Sequence, residues 1–325
     1  MGRFLLRRFT FFIITIFITS IIIFGLTWFL PADPCQIKLQ RDATEGRLKT
    51  CREELGLNET PTAQYVNWAF DFIQGDWGES FFTNKPVYDD VIQRLNNSAR
   101  LGFVVLVITV PLAVFFGVIA GLNENGILDV SVSLTTLALV SLPEFVTGIF
   151  LVETVAQGWA KDWTWLPWEL RSTASAFNPE MSLYESLPFI TLPALAATLV
   201  LLGYIARLTR AGVIEELKRD YVRTAELKGL PYWQVIIKHV LRNALLPTVT
   251  VIAISIGWLM SGLVVIEWVF NYPGLGRFLV DAVQQNDLPR IQAISMISVS
   301  IILFANFLAD LLYGILNPRI RLGDE

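Results

Sequence analysis

Long apolar runs separated by polar segments dominate the chain, and their lengths predict helices that cross a membrane. Phe9 to Leu30 forms 22 positions without a charge. At 1.5 Å per residue this is enough to span a hydrocarbon core of about 30 Å. Further runs at Leu101–Leu122, Val130–Ala156, Leu187–Leu208, Pro247–Phe270 and Ile291–Leu316 bring the expected number of spans to six. The pattern predicts an all-α polytopic membrane protein. Several runs carry breaks: Pro111 in the second, Ser141-Leu142-Pro143-Glu144 in the third, Pro188 and Pro193 in the fourth. Pro143 removes a backbone donor and Glu144 is costly in lipid, so this break should face protein or a water-filled cavity.

The polar segments divide the chain into residues 1–30 (the N-terminal segment and first span), an extracytoplasmic region 31–100, and a five-helix core 101–325. Within the core, Arg207 to Pro247 is the longest strongly polar stretch between two spans. Arg207 to Arg242 holds eight Lys/Arg against four Asp/Glu. Asp220 is expected to cap a short helix, Tyr221–Lys228, which Gly229 ends in a left-handed conformation and Pro231 cannot prolong. A second amphipathic helix should place Trp233, Ile236, Ile237, Val240 and Leu241 on one side until Pro247. In the outer region Val87, Val91 and Leu95 recur at helical spacing. They predict a helix lying either on the membrane surface or against the protein's own outer face.

Charge gives the orientation. Arg3, Arg7 and Arg8 precede the first span, the basic loop follows the fourth, and Arg319 and Arg321 follow the sixth. The positive-inside rule therefore places both ends and the 207–247 loop in the cytoplasm. Residues 31–100, 157–186 and 271–290 then lie outside, where Trp159, Trp163, Trp165 and Trp168 suit an interfacial belt. The turn Asn123–Asp129 has no Lys or Arg, so its cytoplasmic placement rests on counting spans. Phe29-Leu30-Pro31-Ala32-Asp33 makes a poor cleavage site, so the first span is expected to be retained.

Composition agrees: 54% of residues are hydrophobic and 17% charged, against about 25% charged in soluble domains. No region is basic enough to suggest nucleic-acid binding. Cys35 and Cys51 are the two cysteines. Both fall in the outer region, where oxidation is permitted, so a disulfide between them is expected. With one histidine, His239, no four-ligand zinc site is expected.

No catalytic constellation is present. There is no G-x-x-x-x-G-K-[ST] for ATP, no H-E-x-x-H and no G-x-S-x-G. Glu144, Glu153, Glu267, Asn306 and Asp310 are the polar groups in or near membrane depth. Glu144, Asn306 and Asp310 are candidates to line a path for a polar solute, or alternatively to form hydrogen bonds within the bundle.

The stretch DYVRTAELKGL followed by HVLRNALLP resembles the "EAA…G" cytoplasmic loop of bacterial ABC-importer permeases, in the form of the dipeptide/oligopeptide/nickel branch. Aligned on Gly229, the Glu-Ala-Ala positions fall on Arg223, Thr224 and Ala225, so the second alanine and the glycine match. Leu241 matches the later leucine, while Arg242 stands in the proline's place. REELGL, QYVNW, GDWGES, PVYDDVIQRL and EWVFNYPGLG are also similar to this family. The resemblance implies the type I ABC importer permease fold. It further implies a homologous second permease forming the other half of a pore, two cytoplasmic ATPase subunits carrying ATP and Mg, and an extracytoplasmic binding protein delivering peptides or a related small solute. The chain itself would need no cofactor. Tyr221, Arg223, Ala225, Glu226 and Gly229 are then the expected ATPase-coupling residues. A gradient-driven secondary transporter is the alternative; its usual internal repeat is not visible here.

Overall fold

The computed structural model describes residues 2–28, 33–39, 42–159, 177–178 and 180–316. Helix α1 (Gly2–Trp28) is followed on the outer side by α2 (Pro34–Leu39), α3 (Glu45–Glu54) and α4 (Pro61–Gln74). The core then consists of α5 (Val87–Leu122), α6 (Ile127–Ser141), α7 (Glu144–Leu151) and α8 (Leu183–Leu217). The polar loop forms α9 (Asp220–Leu227), α10 (Tyr232–Val235), a π-helical turn at Ile236–Val240, and α11 (Leu241–Ala244). The chain ends with α12 (Leu246–Gly262), α13 (Val264–Val269), α14 (Leu275–Gln284) and α15 (Leu288–Leu316). The tail arginines Arg319 and Arg321 and the outer-loop residues Trp163, Trp165 and Trp168 lie outside the described residues.

Among the described residues four helices are long and apolar enough to cross a membrane, or up to six if each of two bent pairs, Ile127–Ser141 with Glu144–Val155 and Tyr232–Ala244 with Leu246–Leu259, is one span. The third span breaks where expected: α6 and the following helix meet at 97° across Leu142-Pro143. The remaining boundaries shift. α5 runs without interruption through residues 100–101, so the segment at Val87–Leu95 is the outer end of the second span and not a separate helix. Val87 and Val91 are buried against Leu275, Phe278, Ala282 and Ile294, which selects the reading in which this face packs on the protein itself. α8 extends past Leu208 to Leu217, so part of the expected polar loop is a continuation of the fourth span. The fifth span ends at Gly262, and Val264–Val269 is a separate short helix.

α8 is the centre of the bundle. Buried positions make up 72% of its apolar window, against 11% for α1. Its neighbours approach closely because small residues stand at the crossings. A Cβ on Gly117 of α5 would come within 2.6 Å of the Ala206 carbonyl oxygen and of Thr209 Cβ, and one on Gly203 within 2.7 Å of the Thr136 carbonyl. Hydroxyl pairs Thr109–Thr198 (3.2 Å) and Thr209–Thr248 (3.1 Å) link α8 to α5 and α12. A Ser182/Glu185 capping box starts α8, satisfying donors that its first turn leaves free.

The first span sits at the periphery. It packs on α15 through Phe9, Phe12, Phe304 and Phe307, and Arg8 pairs with Asp310 at 2.9 Å. On the outer side, a disulfide joins Cys35 of α2 to Cys51 of α3.

Candidate functional site

The residues from Asp220 to Ala244 fold as one small unit on the inner end of the bundle. Its core consists of Val213, Val222, Ala225, Val235, Ile236, Val240 and Ala244. Gly229, at φ +74°, turns the chain between α9 and α10, a conformation that a side-chain-bearing residue adopts only with strain. Asp220 lies in the first turn of α9; the cap position belongs to Arg219, whose side chain makes no capping bond. This corrects the expected cap at Asp220. The acid still stands at the positive end of the helix.

The second helix turns differently from the expected single stripe. The wider π turn at Ile236–Val240 changes the angular phase, so Val235, Ile236, Val240 and Ala244 point inward. Trp233 and Ile237 instead remain exposed, as do Tyr232 and Leu227. Ala225, expected next to a partner, is buried within this chain. Its small size serves the internal packing of α9. Arg223, Glu226 and Gly229 are exposed, and Tyr221 is half-buried. The Tyr221 hydroxyl donates to Glu216 (2.5 Å) and accepts from Asn243 Nδ2 (3.2 Å), tying α9 to the end of α8 and to α11. Burial, then the bond to the Glu216 carboxylate, pushes the phenol's pKa above its ordinary value.

Two charge pairs bind the turn 123–129 to the inner end of α8, just before this unit. Arg210 of α8 makes a two-pronged contact with Asp129, one prong at 2.7 Å, and Lys218 reaches Glu124 at 2.9 Å. The turn has no cation of its own, but Arg210 of α8 and Lys218, the residue that follows α8, supply two. That pairing could not be read from the turn's sequence.

The three membrane-depth candidates separate. Glu144 is the first residue of α7 after the sharp bend; it is half-buried, and its Oε2 has no hydrogen-bond partner among the described residues. Asp310 is paired with Arg8 of the peripheral first helix. Asn306, one turn away, is exposed.

A second cluster lies at the outer end of the bundle. The Glu267 carboxylate, 1% exposed, accepts from Ser98 Oγ (2.5 Å) and the Arg277 backbone N–H (3.0 Å). Ser98 Oγ also accepts from the Leu275 N–H at 2.8 Å, and the Tyr272 hydroxyl donates to the Asn97 carbonyl at 2.8 Å. Glu267 thus satisfies the first turn of α14 from a distance, and any Cβ on Gly274 would collide with its carboxylate. Nearby, Asp287 accepts from Ser80 Oγ (2.5 Å) and the Phe81 N–H (3.2 Å), while Arg290 bridges Asp90, Thr83 and Asp287. The neighbouring GDWGES and PVYDD segments here meet the part of the chain that carries EWVFNYPGLG, more than 170 positions away. Sequence reasoning noted Glu267 as polar but did not foresee its partners.

Six potential spans around a tightly packed α8, with a compact amphipathic unit on the inner end, describe a transport subunit. The chain belongs to the family described as binding-protein-dependent transport system inner membrane component, which it matches over residues 113–322. The N-terminal component of the same family matches residues 1–102. The chain is 35% identical over 321 residues to the probable peptide ABC transporter permease protein y4tP of Sinorhizobium fredii, covering 99% of this chain and 100% of that protein. It is 32% identical over 337 residues to the dipeptide transport system permease protein DppB of Escherichia coli, covering 99% of each. With the oligopeptide transport system permease protein AppB of Bacillus subtilis it shares 29% over 322 residues, 99% of this chain and 100% of that one. The chain has the type I importer permease fold and is a multi-pass protein of the bacterial inner membrane, a permease subunit of an ATP-driven importer. The gradient-driven alternative finds no support among these relatives.

Proposed function

We propose that the unit Asp220–Ala244 is the seat of a cytoplasmic ATPase subunit, and that the chain forms half of a pore for peptides or a related small solute. The observation that carries this reading is the exposed apolar group Leu227, Tyr232, Trp233 and Ile237, carried by a unit whose own core is already filled. Tyrosine and tryptophan dominate protein interfaces because they bury large area at small entropic cost. Around them Arg223, Glu226 and Lys228 supply an exposed charged rim. The energy of transport comes from ATP and Mg held by two such ATPases. A homologous second permease completes the pore, and an extracytoplasmic binding protein delivers the solute. Relatives named for peptide, dipeptide and oligopeptide transport support the solute class.

Glu144 is the pore-lining candidate that the geometry favours, because its carboxylate stands at a bend with an oxygen left unpaired. Asp310 serves instead to hold α1 against α15 through Arg8.

The test is ATP hydrolysis stimulated by the loaded binding protein, together with peptide uptake, in vesicles containing the whole importer. Removing one aromatic anchor costs about 2 kcal/mol of binding, so Trp233→Ala should weaken ATPase association about thirty-fold and reduce uptake in step. Gly229→Val should act in the same direction, through the positive φ it cannot adopt without strain. Arg223→Ala, in the rim, should do much less. Wild-type ATPase association and uptake in both Trp233→Ala and Gly229→Val would place the docking surface elsewhere.

A further inference from the structure

α4 is a helix with three different faces. Thr60 Oγ1 caps it by accepting from the Ala63 N–H, Pro61 opens it, and Gly75 closes it at φ +88°. At 3.6 residues per turn its side chains fall into three stripes about 120° apart. Tyr65, Trp68 and Phe72 form the first stripe. Tyr65 and Trp68 pack on α1: Tyr65 stacks edge-on to Phe17 and Phe24, its hydroxyl bonds Ser20 at 2.8 Å, and Trp68 meets Phe24. Gln64, Asn67 and Asp71 form the second stripe, and line an outer cavity of about 880 Å³. Val66, Phe70 and Ile73 form the third, and are 60%, 65% and 83% exposed.

The depth of the contact with α1 decides what covers that third stripe. The apolar window of α1 runs from Leu5 to Thr27. Ser20 lies seven residues inside its outer end, about 10 Å at 1.5 Å per residue. Tyr65 therefore reaches below the membrane surface. Asp71 is the sole charged residue of α4, and it sits near the C-terminal end on the stripe that faces the cavity. Phe17, Ile18, Ile21 and Ile22 of α1, the helix that α4 grips, are exposed as well.

We propose that α4 is an interfacial anchor seated in the outer leaflet, with Val66, Phe70 and Ile73 against lipid acyl chains and the Gln64–Asn67–Asp71 stripe against water. A helix with one apolar and one polar face takes up this position when the apolar face enters the acyl boundary. Here a third, aromatic face grips the first span. The surface position that was one of two alternatives for Val87–Leu95 is assigned here one element earlier, because the Val87–Val91 stripe is covered by α14 and α15.

The chain's two cysteines are joined to each other, so an introduced cysteine can be labelled alone. Nitroxide labels at Val66→Cys, Phe70→Cys and Ile73→Cys, with Asn67→Cys as the polar-face control, are placed in the complete importer in liposomes. Retained stimulated ATP hydrolysis selects the variants that fold, and any of the three apolar positions suffices. Power saturation should show oxygen collisions exceeding those of a water-soluble nickel chelate several-fold at 66, 70 and 73, with the order reversed at 67. Dominance of the nickel chelate at the three positions would place α4 in water and overturn the proposal. Exclusion of both colliders, with an immobilised spectrum, would mean that protein covers the stripe and would equally overturn it.

Discussion

At the outer end of the bundle, Glu267 and Asp287 are almost wholly buried, and both oxygens of each carboxylate meet a donor from this same chain. At the inner end, Arg223, Glu226 and Lys228 stand in solvent beside exposed Leu227, Tyr232 and Trp233. Both regions are rich in polar residues, yet they use them oppositely. Buried carboxyl groups on the outer side fix the relative position of α5, α13, α14 and α15 through hydrogen bonds and leave little to add. The inner unit fills its core with valines, isoleucine and alanines and keeps Tyr232 and Trp233 outside. A cluster complete in itself holds shape; a finished unit with uncovered aromatics has a surface ready for a partner.

The contrast can be broken most severely at Gly274. A Cβ there collides with the Glu267 carboxyl group, so Gly274→Val must push a buried polar group away from its donors. The expected loss is about 3 kcal/mol or more, seen as a lower unfolding temperature and reduced membrane insertion. Unchanged stability would mean that the outer cluster is not self-supporting.

A smaller effect is expected at the inner end of the bundle, where α8 meets α6. Arg210→Met leaves Asp129, itself buried, without its guanidinium partner. A fully buried pair broken in this way costs about 3–5 kcal/mol; partial exposure of Arg210 reduces the expectation to about 2 kcal/mol. Adding Asp129→Leu should restore most of the stability, because no unpaired charge remains. Thermal unfolding of the two single variants and the double variant measures the coupling.

The weakest effect belongs to the outer disulfide-linked hairpin. Burial pushes the Asp33 carboxyl up, but the bonds from Arg52 and from the Cys35 and Gln36 N–H groups outweigh it and leave the pKa below 3.8. Since the folded pKa is the lower one, this contribution is present above about pH 4 and is lost as pH falls through the folded value. The pair is largely solvated, so the loss should stay below about 1 kcal/mol. Amide exchange across Glu45–Glu54, followed from pH 5 to pH 3, should rise relative to the core after correction for intrinsic rates, and Arg52→Gln should flatten that rise.

The spans were legible in the sequence because charge-free runs of this length have few other uses, and the Pro143 break because proline cannot complete the helical ladder. Gly229 was legible too, since a glycine followed closely by proline marks a helix end. What escaped was set by contacts distant in sequence. Periodicity shows that Val87 and Val91 share a face but cannot say whether lipid or α14 covers it. It put Trp233 and Ile237 on one side with Ile236 and Val240, whereas the structure buries the second pair and leaves the first exposed. Glu267 was visible as a polar residue near membrane depth, but Ser98, 169 positions away, gave no local sign of being its partner.

The uninterrupted run of α5 has a mechanical consequence. Its 36 residues form a rod of about 54 Å, tied at one end by Asp90 to Arg290 and ending at the other beside the turn that Lys218 and Arg210 hold. Between the two attachments the helix is continuous. Pro111, lacking its N–H, is the one proline along the rod and the natural place for it to flex. Motion imposed at either face of the membrane is therefore delivered to the other as leverage, with its fulcrum in the bilayer.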